Sequence, residues 1–142
     1  MPTQLPDEIH NQIVLLSKQG DDLAQKGDLE AAKERYIAAL RLLPEDHIQW
    51  NAATWLYVAL GDAHFRTGAF DKAHKCFINA IQCPDGLGNP YIHLRLGQVN
   101  FESKNLGRAA DELARAYMGG GMEIFMEDDP KYLEFLETRI TV

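Results

Sequence analysis

The side chains that chemistry would use first are thinly spread along this 142-residue chain. Its five histidines are His10, His47, His64, His74 and His93. No two of them bracket a Glu at the one-turn spacing that holds zinc and supplies a general base. Cys76 and Cys83 sit seven residues apart on one predicted helix. That is about 10 Å along the axis, too far for a disulfide and outside the usual spacing of metal-binding pairs. Buried, reduced thiols are the expectation. Neither serine, Ser17 or Ser103, lies in a nucleophile motif. Gly86-Leu87-Gly88 and Gly119-Gly120-Gly121 are not phosphate loops, since no strand precedes them and no Lys-Ser/Thr follows. We expect no enzyme activity, no cofactor and no metal.

Composition bounds the rest. Hydrophobic residues make up 46% of the chain and charged ones 25%, ordinary values for a soluble globular protein of one domain. No apolar run reaches the ~18 residues of a membrane span. The start, "MPTQLPDEIH", lacks the basic and apolar regions of a secretory signal, so a cytoplasmic location is expected. The net charge of −7 argues against a nucleic-acid backbone as partner and allows a basic protein.

The elements follow from one repeated pattern. Gly20, Gly61 and Gly97 are each followed by Ala, a large apolar residue and Ala at the same three offsets. The sets are Ala32, Tyr36, Ala39, then Ala73, Phe77, Ala80, then Ala109, Leu113, Ala116. The periods of 41 and 36 residues belong to stacked helical repeats, which make binding surfaces more often than active sites. Glycine inside a helix costs ~1 kcal/mol relative to Ala, so a neighbouring helix is expected to come close. The matching Ala should supply the small facing surface, with Tyr36, Phe77 and Leu113 filling the space between one pair and the next.

The second copy, "TWLYVALGDAHFRTGAFDKAHKCFINAIQCPD", resembles a tetratricopeptide repeat (TPR) in Leu60-Gly61, Gly68, Phe70, Ala73, Phe77 and Ala80. Tyr57 replaces the usual Trp there, and His64 the usual Tyr. The third copy has Lys104 where the turn Gly is usual. The resemblance covers about residues 10–120. It implies an all-α, right-handed stack of three helix pairs, with repeats at about 13–44, 46–85 and 90–118 and a capping tail at 122–142. His64 and His93 fall at aromatic positions of the motif and should pack inside, whereas His47 and His74 should lie at the surface.

Helix boundaries are legible residue by residue. Pro6-Asp7-Glu8 starts the first helix, to about Lys26, with acids at the positive end of the helix dipole. Asp28 caps the second, which ends before Pro44. Glu45-Asp46 opens a third helix to about Thr67, longer than a repeat helix by some two turns. The fourth covers about Phe70 to Gln82. Pro90 begins the fifth. The sixth runs from Leu106 to Met118, where three glycines stop it. Asp128-Asp129-Pro130 starts a tail helix with Tyr132, Leu133, Phe135, Leu136 and Ile140 on one stripe. That helix is expected to cap the open end of the stack, or else to close over a bound partner.

The resemblance also implies an inner groove lined by the first helix of each pair. At its contact positions the second repeat offers Trp55, Val58, Asp62, Phe65 and Arg66. The third offers Tyr91, Leu94, Gln98, Phe101 and Glu102, and the first Val14, Ser17, Asp21, Ala24 and Gln25. Trp, Tyr and Arg are common interface anchors. We therefore expect a protein-binding adaptor or inhibitor that takes one protein partner there, with no nucleic acid and no membrane involved. A second possibility stays open, in which the first or last helix fills the groove and these residues are core. The Lys and Asn residues with which some relatives clamp a peptide's terminal carboxylate are missing, so that mode is not expected. The tail carries six acids and two bases. Glu127, Asp128 and Asp129 are its candidates for docking a basic protein. The short acidic form, with its Gly run and "EIF…EDDPKYLEFL", also resembles small bacterial TPR proteins encoded beside secreted toxins, which act as immunity proteins.

Overall fold

A computed structural model describes residues 5–44 and 49–142. The predicted helix start at Glu45-Asp46 and His47 lie outside them. Seven α-helices occupy the described residues, and no strand is found among them: α1 Asp7–Gln25, α2 Leu29–Leu42, α3 Asn51–Arg66, α4 Phe70–Gln82, α5 Pro90–Glu102, α6 Leu106–Gly120 and α7 Pro130–Glu137. A 3-10 turn at Met122–Phe125 links α6 to α7. The pairs α1/α2, α3/α4 and α5/α6 pack most closely, with α2 against α3 and α4 against α5 joining one pair to the next.

The repeated glycines explain the pairing, with one correction. A Cβ at Gly61 would sit 2.8 Å from the Phe77 ring, and one at Gly97 would sit 2.5 Å from Leu113 Cγ. At Gly20 the obstacle is Tyr36, at 2.6 Å. The large residue therefore lies directly over the glycine of its own pair rather than only between pairs. The alanines of the pattern are all fully buried beside it. These contacts tie each pair together at the crossing point, where an added methylene would overpack the interface.

Local signals set most helix ends. The Asp28 carboxylate accepts from Ala31 N at 3.3 Å, and Asn89 and Asp129 cap α5 and α7 in the same way. At the turn of the third pair Lys104 takes φ +65, a left-handed conformation that Gly27 and Gly68 take at the turns of the other two pairs and that favours glycine. Two boundaries differ from expectation. Trp50 is extended and buried in the first core cluster, so α3 begins at Asn51 and spans 16 residues. α3 is still three residues longer than α5, all of them ahead of Gly61, so about one extra turn rather than two supplies most of the difference between the two periods. Gly119 and Gly120 continue α6, and only Gly121, at φ +70, ends it. Both helical glycines face Pro90, where a side chain would crowd the start of α5.

Candidate binding face

Helices α1, α3 and α5 form the inner face, and the centre of that face is Arg95. Its Nε donates to Asp62 Oδ1 and to Tyr91 Oη, each at 3.0 Å. Its Nη1 donates to Gln98 Oε1 at 2.7 Å and to Asp128 Oδ1 at 3.3 Å. The guanidinium also lies over the Tyr91 and Phe65 rings, 5.1 and 5.4 Å from their centroids. Tyr91 Oη donates in turn to Asp62 Oδ2 at 2.7 Å. Five of the predicted contact residues are thus gathered by a residue the motif positions passed over. Its signal was available in the sequence. Tyr91, Arg95 and Gln98 recur at one-turn spacing, which puts a cation on the inner stripe of an otherwise apolar helix.

Electrostatics at this cluster are set by burial. Burial raises the Asp62 carboxyl above the ordinary aspartate value, against the pull of Arg95 and the Tyr91 hydroxyl. Burial also raises the Tyr91 phenol, with Asp62 adding to the effect. At Arg95 burial disfavours the charge, yet Asp62, Tyr91 and Asp128 together hold its pKa above the usual value. Hydrogen bonds to charged groups in such a setting are worth more than neutral ones.

The tail covers the third pair. The Tyr132 hydroxyl donates to Glu102 Oε2 at 2.7 Å, and Lys131 Nζ pairs with the same oxygen at 2.8 Å. The Phe101 ring meets Tyr132 and Phe135 edge-on, at 5.4 and 5.2 Å. Leu94 and Gln98 are buried, the latter completely. The groove therefore divides. At α5 it is core, with Leu94, Gln98, Phe101 and Glu102 engaged inside the protein. At α1 and α3 it is open. Trp55 is 39% exposed, and the exposed Arg66 donates Nη1 to the Ala24 carbonyl at 3.3 Å. A cleft of about 290 Å³ lies here, walled by Ala24, Ala59 and Ala63 and carrying the polar groups of Asp21, Tyr36, Asp62, Arg66 and Arg95.

Of the acidic tail candidates, Asp128 turns inward to Arg95 and Asp129 caps α7, its Oδ1 accepting from Lys131 N at 3.0 Å. Glu127 stays exposed. The histidines follow expectation in part. His64 and His93 are buried, and His93 Nδ1 lies 3.0 Å from Glu112 Oε2. His74 is half-buried rather than fully at the surface. Both thiols are free and buried, and burial pushes Cys76 up to about 11. No group of three His, Cys, Asp or Glu side chains suited to a metal occurs among the described residues. No helix among them is long and apolar enough to cross a membrane.

Stacked helix pairs with a concave inner face define a helical-repeat protein. Residues 58–122 match the family model described as tetratricopeptide repeat. Among solved structures, the second TPR of Spaghetti (RPAP3) bound to HSP90 peptide SRMEEVD aligns with a TM-score of 0.67 at 18% identity, over 80% of this chain and 99% of that one. The crystal structure of MamA aligns with a TM-score of 0.61 at 20% identity, over 91% of this chain and 81% of that one. No curated protein sequence matches the chain. The chain thus has the fold of a tetratricopeptide-repeat stack, and its residues 58–122 match that family's model.

Proposed function

We infer that the protein is a non-catalytic binding module that takes an extended segment of one protein partner on the open inner face of α1 and α3. The observation that carries this reading is the alanine-walled cleft lined by the exposed Arg66, with the exposed Trp55 one turn of α3 before its Ala59 wall. A large amphipathic ring and a guanidinium are the side chains that most often anchor interfaces, and small walls let a partner's backbone approach. The repeat family supports the same class, as does the peptide carried by the Spaghetti domain. The carboxylates of Asp21 and Asp62 stand on this face, so the partner segment differs in chemistry from an acidic tail of that kind. Capture of partners from source cells by the wild type, compared with Trp55→Ala and Arg66→Ala, tests the reading. Loss of the same partner in both variants supports it, and retention in both overturns it.

A second reading rests on the outer side of the tail. Glu123, Glu127, Glu134 and Glu137 are all exposed and form no ion pair among the described residues. Such a surface suits a basic partner, which is the chemistry an immunity protein would use against a basic toxin.

A further inference from the structure

The C-terminal helix packs against α6 and sends side chains onto the inner face of α5, held there by the devices of a docked ligand. α7 is eight residues long, far below the ~12–15 at which an isolated helix begins to persist in water. It forms because it docks. It is joined to α6 by residues 121–129, which include the 3-10 turn Met122–Phe125. Its apolar stripe enters the third core cluster through Tyr132 and Leu136, against Leu94 and Phe101. Two ion pairs lie at the margin, Asp128 to Arg95 and Lys131 to Glu102, and the Lys131 side chain is 44% exposed. The two pairs have opposite polarity, so they set direction and register as well as attraction.

We propose that the α5 face beneath the tail is a helix-docking surface, with residues 126–140 as its resident occupant. The external partner it fits is an amphipathic helix that leads with a carboxylate for Arg95. A cation for Glu102 follows within a turn, then aromatic and leucine side chains for Phe101 and Leu94. The inference rests on the reading of this protein as a binding module but uses a different face from Trp55 and Arg66. A tethered helix competes at high effective concentration, so an external one binds measurably only when the latch is weakened.

The probe is a labelled synthetic peptide of this chain's own residues 126–140, titrated into the full-length protein. Asp128→Asn in the protein, but not in the peptide, should tighten peptide uptake about fivefold, the weight of one part-exposed ion pair. Lys131→Gln in the protein is the parallel variant should Asp128→Asn fail to fold, with the same direction expected. In the wild type, α7 amides should exchange with solvent at least ~100-fold faster than those of α5, through opening of the tail alone. Equal peptide uptake by wild type and variants overturns the proposal, as does exchange of α7 only with the whole protein. Dimerisation of the variants without peptide uptake also overturns it, because a second copy is then the occupant. Failure here leaves partner loss on Trp55→Ala untouched, so the two readings fall separately.

Discussion

Asp128 and Arg95 lie 33 residues apart in the chain and 3.3 Å apart in space. Their contact ties the tail to the centre of the inner face, where Arg95 already neutralises Asp62 at 3.0 Å. Two carboxylates therefore depend on one guanidinium.

Arg95→Met should cost about 2–3 kcal/mol, because it leaves Asp62 part-buried without its cation. The double variant Arg95→Met/Asp62→Asn should recover part of that loss. Denaturant unfolding of the two variants and the wild type measures both effects. Equal stability of the single variant and the wild type would show that the cluster contributes nothing to the fold.

Gly97→Ala tests the close crossing of α5 and α6. Its Cβ would meet Leu113 Cγ at 2.5 Å and the Leu113 backbone nitrogen at 3.0 Å. Backbone cannot swing aside as a side chain can. The expected loss is about 1–3 kcal/mol from overpacking, which outweighs the ~1 kcal/mol gained in helix propensity. Gly107→Ala, with nothing within 4 Å, is the control and should be neutral or stabilising in the same thermal melts.

His64 makes a pH prediction. Burial, together with the charges of Lys33 and Lys72, lowers its pKa below the ordinary 6.5, and its Nδ1 has no hydrogen-bond partner. The unfolded chain therefore takes up the proton before the folded one does. The stability due to neutral His64 is complete above pH 6.5 and is lost as pH falls through the lower folded value. His64→Phe should flatten this part of the stability profile. A wild-type and variant profile that stay parallel below pH 6.5 would contradict the assignment.

Charge on the tail's outer side makes a kinetic prediction for a basic partner. Glu123→Gln/Glu127→Gln should slow association several-fold at low salt with little change in dissociation. The difference should shrink as the Debye length falls from ~30 Å at 0.01 M to ~8 Å at 0.15 M. Neither residue serves the Arg95 cluster, so the fold should be unaffected. Identical on-rates at low salt would place recognition on the inner face instead.

Much of the architecture was legible because it is local and repeated. Gly, Ala and a large apolar residue recur at fixed offsets, and packing between two helices joined by a short turn depends on little else. Asp28, Asn89 and Asp129 mark helix starts through hydrogen bonds that span two or three residues. The inner-face positions of Asp62, Tyr91 and Gln98 followed from the same register.

What the register left undetermined depends on the path of the chain. Trp50 can be placed in the core rather than in α3 only once the neighbouring helices are in position. Asp128 reads as one more solvated acid until the turn after Gly121 carries it back over α5. Whether the groove was open or filled was likewise decided by the tail, which packs on Leu94 and Phe101 and leaves Trp55 exposed. Helical periodicity says which side of a helix faces inward. It carries no information on which distant segment arrives there, because that is settled by the free energy of burying one apolar stripe against another once both are folded.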